Sequence, residues 1–135
     1  MIKQINKKEF DTLVYNTEEL NENTKELNFL GDKPVIIDFY AKWCGPCKAT
    51  TPILEELAKE REDINIYKID VDEERELSGM FGIRSIPTFL FIPLKSKPQA
   101  AMGAMTKENF NKAIEEILFE NGIEDAEIIE ENTKE

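Results

Sequence analysis

Cys44 and Cys47 are the chain's two cysteines, within the stretch Trp43-Cys44-Gly45-Pro46-Cys47-Lys48. Two intervening residues leave both sulfurs within disulfide reach if they share the first turn of a helix. The stretch separates a strand-like run from a helix-like run, so Cys44 is expected at the helix N-cap. There the unpaired N–H groups and the helix dipole favour an anion. The thiolate is the nucleophilic form of cysteine, so this placement lowers the thiol pKa and activates it. Cys47, one turn in, is expected to be less exposed and to resolve a mixed disulfide formed by Cys44. Pro46 suits the first turn, where the N–H it lacks would be unpaired anyway. Lys42 and Lys48 either add positive charge to this site or are two solvated lysines. The pair could otherwise be half of a metal site shared between two chains. With no histidine and no further cysteine, one chain cannot build a four-ligand Cys/His zinc site alone.

The elements that must hold this pair follow from apolar periodicity. Residues 34–40 (PVIIDFY) read as a buried strand of β-branched and aromatic residues, with Asp38 as the odd carboxylate inside it. Residues 46–61 read as a helix with Ile53, Leu54, Leu57 and Ala58 on one face, and with Pro52 expected to kink it. Residues 64–70 and 88–92 (TFLFI) read as further strands. Residues 2–5 form a short strand, and Asn6 caps a helix with Phe10, Leu13 and Val14 on its apolar side. The polar stretch 15–28 is followed or overlapped by a short helix around residues 24–30, which Gly31 would stop. A helix over residues 73–81 ends at Gly82. Residues 93–98 make a turn before a short strand at 99–102. Thr106 then caps a long helix to about residue 120, with Phe110, Ala113, Ile114, Ile117 and Leu118 as its stripe. A βαβ unit demands a right-handed parallel crossover, and the strands around residues 93–98 demand an antiparallel hairpin. An α/β fold follows, with a central mixed sheet and helices on both faces.

The bulk composition is compatible with that reading. The 135 residues suggest one domain, and 41% apolar with 33% charged residues is an ordinary globular balance. We expect the domain to span residues 1–120, with 121–135 as an acidic tail. The net charge of −11 argues against nucleic acid and anionic membranes as partners. No apolar run approaches the roughly 18 residues of a membrane span. The opening MIKQINKKEF lacks the apolar stretch of a signal peptide, so a cytoplasmic protein is expected. A periplasmic one is the alternative if a signal precedes Met1.

WCGPC preceded by IIDFYA, a proline eight residues after Cys44, SIPTF and Gly103-Ala104 together resemble the thioredoxin family over residues 1–120. The resemblance implies a thioredoxin-like fold and thiol–disulfide exchange on protein substrates. It implies that Asp38 is a buried proton acceptor for Cys47, with Lys68 beside it; the alternative is a structural carboxylate paired with Lys68. Ile86–Pro87 would be a cis peptide facing the dithiol. Trp43, Gly45, Pro46, Ile86, Pro87, Gly103 and Ala104 would form the substrate-binding surface. The resemblance further implies a monomer with no cofactor beyond the Cys44–Cys47 disulfide, re-reduced by a thioredoxin reductase. Two other functions remain open: a thiol oxidant or disulfide isomerase on the same fold, and a non-catalytic partner-binding module. Departures from the family are Tyr40 where relatives often have tryptophan, the length of 15–28, a turn at 93–98 without Asn-Gly, and the tail. The form FIPLKSKPQ resembles thioredoxin-like proteins of Bacteroidetes-type bacteria, some of which are exported.

Overall fold

Alternation along residues 35–40 puts Val35, Ile37 and Phe39 on one side of a strand and Ile36, Asp38 and Tyr40 on the other. The computed structural model, which describes residues 2–20 and 27–119, buries both sides. That burial is what a central strand covered by helices requires. The strands are β1 (Ile2–Gln4), β2 (Val35–Tyr40), β3 (Asn65–Asp70), β4 (Thr88–Ile92) and β5 (Gln99–Met102). They lie in the order β1-β3-β2-β4-β5. β1 and β2 run parallel to β3, while β4 is antiparallel to both β2 and β5. The expected mixed sheet is therefore present.

Helices α1 (Lys7–Leu13), α2 (Gly45–Glu60) and α3 (Arg75–Met80) connect strands, and α4 (Lys107–Ala113) follows β5. A π-helical segment, Ile114–Phe119, extends α4. One core joins Phe10 of α1, its C-cap Val14 and Leu77 of α3 to Val35, Ile37 and Phe39. The other joins Leu54 and Leu57 of α2 and Phe110, Ile114 and Leu118 to Ile36, Ile66, Phe89 and Phe91. Phe89 and Phe110 meet edge to face at 4.9 Å between ring centroids, a geometry aromatic quadrupoles favour. Asp38, by its position in β2, lies on the α2 side of the sheet.

Local signals account for the helix starts. Asn6 and Glu9 form a reciprocal capping box on α1. Thr106 accepts the Asn109 N–H at the start of α4. α2 runs unbroken through Pro52, although proline leaves the Lys48 carbonyl without its usual donor.

The expected helix around residues 24–30 is not borne out where it can be seen. Residues 24–26 lie outside the described residues, and residues 27–30 are not helical. There Leu27 and Phe29 pack onto the core, while Asn28 and Leu30 are exposed. That is the period of extended chain. The Leu30 N–H also donates to the Val14 carbonyl at 2.9 Å. Gly31 accordingly serves space rather than helix termination: a Cβ there would come within 2.6 Å of the Phe29 ring. A short 3₁₀ turn, Thr17–Glu19, stands where only polar chain was expected, capped by Asn16.

Candidate active site

The pair is built where β2 hands over to α2. Cys44 is the N-cap of α2, with extended backbone. Its Sγ accepts the Cys47 N–H at 3.1 Å. Cys44 and Cys47 are joined as a disulfide, with Cα atoms 5.3 Å apart. The sulfur of Cys44 thus sits where free N–H groups converge, which favours the thiolate once the bond is reduced. Exposure separates the two less than the sequence suggests, since Cys44 is 4% and Cys47 3% exposed in the disulfide form. The difference between them is position: Cys44 caps the helix and Cys47 lies inside it.

Neighbouring loops complete the surroundings. Ile86 packs against the cluster of Tyr40, Ala41, Cys44 and Cys47. The Ile86–Pro87 peptide is cis. The Gly103 N–H donates to the Pro87 carbonyl at 2.8 Å, tying the end of β5 to this loop. Gly103 takes φ +93°, a conformation that L side chains rarely adopt. Trp43 is 70% exposed and Met102 74% exposed. Gly45, Pro46 and Ala104 are exposed as well.

Two acidic residues absent from the sequence reading fix the loop before Cys44. The Trp43 indole N–H donates to Asp72 Oδ2 at 2.7 Å. Lys42 pairs with Glu73 at 3.6 Å, so its charge is already answered by a carboxylate. Lys48 is exposed. Both facts favour the solvated reading of the two lysines. Asp70 anchors the same β3–α3 connection by accepting the Asp72 N–H at 2.9 Å.

Asp38 is fully buried, and neither carboxylate oxygen has a hydrogen-bond partner. Burial raises its pKa from 3.8 to about 7, against a smaller lowering by the Lys68 charge. In the register of β2 and β3, Lys68 is the residue directly beside Asp38. It forms no ion pair with Asp38 among the described residues; its ammonium lies over the Tyr40 ring, 4.3 Å from the centroid. The reading of Asp38 as a paired structural carboxylate therefore lacks its partner. Among the described residues, no group of three or more His, Cys, Asp or Glu side chains could hold a metal ion.

Residues 2–116 match the family model for thioredoxin. The chain belongs to the thioredoxin family. It is 47% identical over 98 residues to a thioredoxin of Borreliella burgdorferi, covering 72% of this chain and 84% of that protein. It is 37% identical over 107 residues to the chloroplastic M-type thioredoxin of Spinacia oleracea, where it spans 78% of this chain and 59% of the relative. Among solved structures it resembles chloroplastic thioredoxin z with a TM-score of 0.68 at 26% identity, covering 84% of this chain and 90% of that one. Thioredoxins are protein-disulfide oxidoreductases, and the Cys44–Cys47 disulfide is consistent with the oxidised form of a dithiol that carries out thiol–disulfide exchange. Among the described residues, no helix is long and apolar enough to cross a membrane.

Proposed function

We propose that the reduced chain is a disulfide reductase in which Cys44 attacks, Cys47 resolves and Asp38 takes the Cys47 proton. The Cys44 thiolate attacks one sulfur of a substrate disulfide, forming a mixed disulfide and expelling a substrate thiolate that takes up a proton. Cys47 then passes its proton to ionised Asp38, and the Cys47 thiolate attacks Cys44. The second substrate sulfur leaves as thiolate and is protonated in turn. Two electrons pass from the dithiol to the substrate, and the protein ends as the Cys44–Cys47 disulfide. A dithiol donor, thioredoxin reductase in this reading, then restores the reduced form.

The observation that carries the assignment is a buried carboxylate with unpartnered oxygens in β2, the strand that leads into the cysteine pair, its pKa raised to about 7. A base is most effective when it titrates near the working pH. Support for a substrate surface comes from Ile86, which packs against the cysteine cluster, from Gly103, which is tied to Pro87, and from the exposed Trp43, Gly45, Pro46 and Ala104. They form the surface on which an extended substrate segment would lie. Lys68 acts through Asp38 by its charge. The cycle needs no metal or organic cofactor, and it runs in a monomer in the cytoplasm. Stopped-flow reduction of a disulfide substrate separates attack from resolution. Asp38→Asn is expected to leave attack near the wild-type rate and to let the mixed disulfide accumulate. Resolution at the wild-type rate would remove Asp38 from the mechanism.

A further inference from the structure

We propose that Tyr40 is a positioning residue for Lys68: its ring face holds the ammonium off the Asp38 carboxylate and keeps that carboxylate free of an ion pair. The strand register creates the choice. Asp38 and Tyr40 share one face of β2, and Lys68 and Asp70 share the adjoining face of β3. Asp38 stands directly beside Lys68, and Tyr40 directly beside Asp70. A lysine so placed would ordinarily pair with the buried carboxylate next to it, because an uncompensated buried charge is costly. Instead Lys68 Nζ lies 4.3 Å from the Tyr40 centroid, well inside the roughly 6 Å range of a cation–π contact. Both Asp38 oxygens are left without a partner.

The ring is fixed in turn. Tyr40 is 8% exposed and packs with Ala41, Cys44 and Cys47. Its phenol ionises above its ordinary range, through burial first and then the charges of Asp70, Asp38 and Glu73. It therefore stays neutral at pH 7 and contributes a π face without a charge. Among the described residues, Lys68 is the charge that acts on Asp38. Phe89 is the neighbour of Asp38 on β4, and α2 buries Cys47, Thr50, Leu54 and Leu57. Of these only Cys47 titrates, and only in the reduced form.

The catalytic consequence rests on Asp38 being the proton acceptor; the tether itself does not. The test follows the Asp38 carboxyl carbon by NMR against pH in the oxidised protein, where the cysteines do not titrate. Tyr40→Phe keeps a ring and is expected to leave the midpoint in place. Tyr40→Leu frees the ammonium, which an adjacent carboxylate then captures, and the midpoint is expected to fall by about one pH unit. The same exchange in a Lys68→Met background is expected to leave it unmoved. A midpoint that does not fall with Tyr40→Leu, or that falls equally with Lys68→Met present, overturns the proposal. Should Tyr40→Leu fail to fold, the wild-type protein decides: the Lys68 ε-methylene protons must be shifted upfield by the ring, and ordinary positions overturn the proposal. If the midpoint falls while the pH profile of mixed-disulfide resolution stays put, the tether stands and Asp38 is not the acceptor.

Discussion

Replacing Asp38 by asparagine should change how stability depends on pH more than it changes stability at any single acid pH. In the folded protein Asp38 titrates at about 7 rather than 3.8. Between those values the folded chain holds a proton that the unfolded chain has lost, so stability falls as pH rises. The loss begins near pH 4 and is complete above about pH 7. That gap, at about 1.36 kcal/mol per unit, corresponds to about 4 kcal/mol. The asparagine amide cannot ionise and escapes the loss. Near pH 4 the two side chains are both neutral, with polar atoms similarly unpartnered, so the variants should differ little. Urea unfolding of the oxidised proteins from pH 4 to 8.5 reads this directly. With a slope of about 2 kcal/mol per molar, the variant should unfold about 2 M later at pH 8.5. Stability curves that run parallel across this range would show that Asp38 is not held protonated by burial.

After reduction, limiting iodoacetamide near neutral pH should label Cys44 well before Cys47, because Cys44 is the one at the helix N-cap; equal labelling by mass mapping contradicts the division of roles. Asn6→Ala removes a side-chain oxygen that accepts the Glu9 N–H at 2.8 Å and should cost about 1 kcal/mol in denaturant melts. An unchanged midpoint would mean that α1 needs no cap. Removal of residues 122–135 should preserve folding and disulfide reduction, since Ile114 and Leu118 already complete the core under α2; a truncated chain that unfolds would place the domain boundary later.

The dithiol was legible because its logic is local. A cysteine at a strand–helix junction, a proline in the first turn and a helix dipole need no distant partner to be read. Asp38 was legible as an anomaly, a charge in PVIIDFY where every neighbour is apolar or aromatic. What surrounds them depends on contacts that sequence distance hides. Trp43 meets Asp72 across 29 positions, and no spacing rule joins those two residues. Lys68 could have been read as the partner of Asp38, and only the relative positions of two strands show it over Tyr40 instead. The connection before Gly31 misled because Leu27 and Leu30 suit a helix face, while Leu27 and Phe29 suit an extended chain. Docking of Phe29 near Tyr15, at 5.9 Å between ring centroids, selects the second.

The borders of the sheet have a colloidal consequence. β1 has 3 residues and β5 has 4, so each border offers a stranger's backbone few free hydrogen-bonding groups. Lys3 further interrupts the first border with a charge. Short, charged borders resist strand-to-strand stacking between molecules. A net charge of −11 adds mutual repulsion whose reach is set by ionic strength, about 10 Å at 0.1 M salt and about 3 Å at 1 M. Concentrated solutions at low salt should therefore stay dispersed. Crowding by added salt, rather than by concentration alone, should first bring the molecules together, and light scattering against salt at fixed concentration would register it.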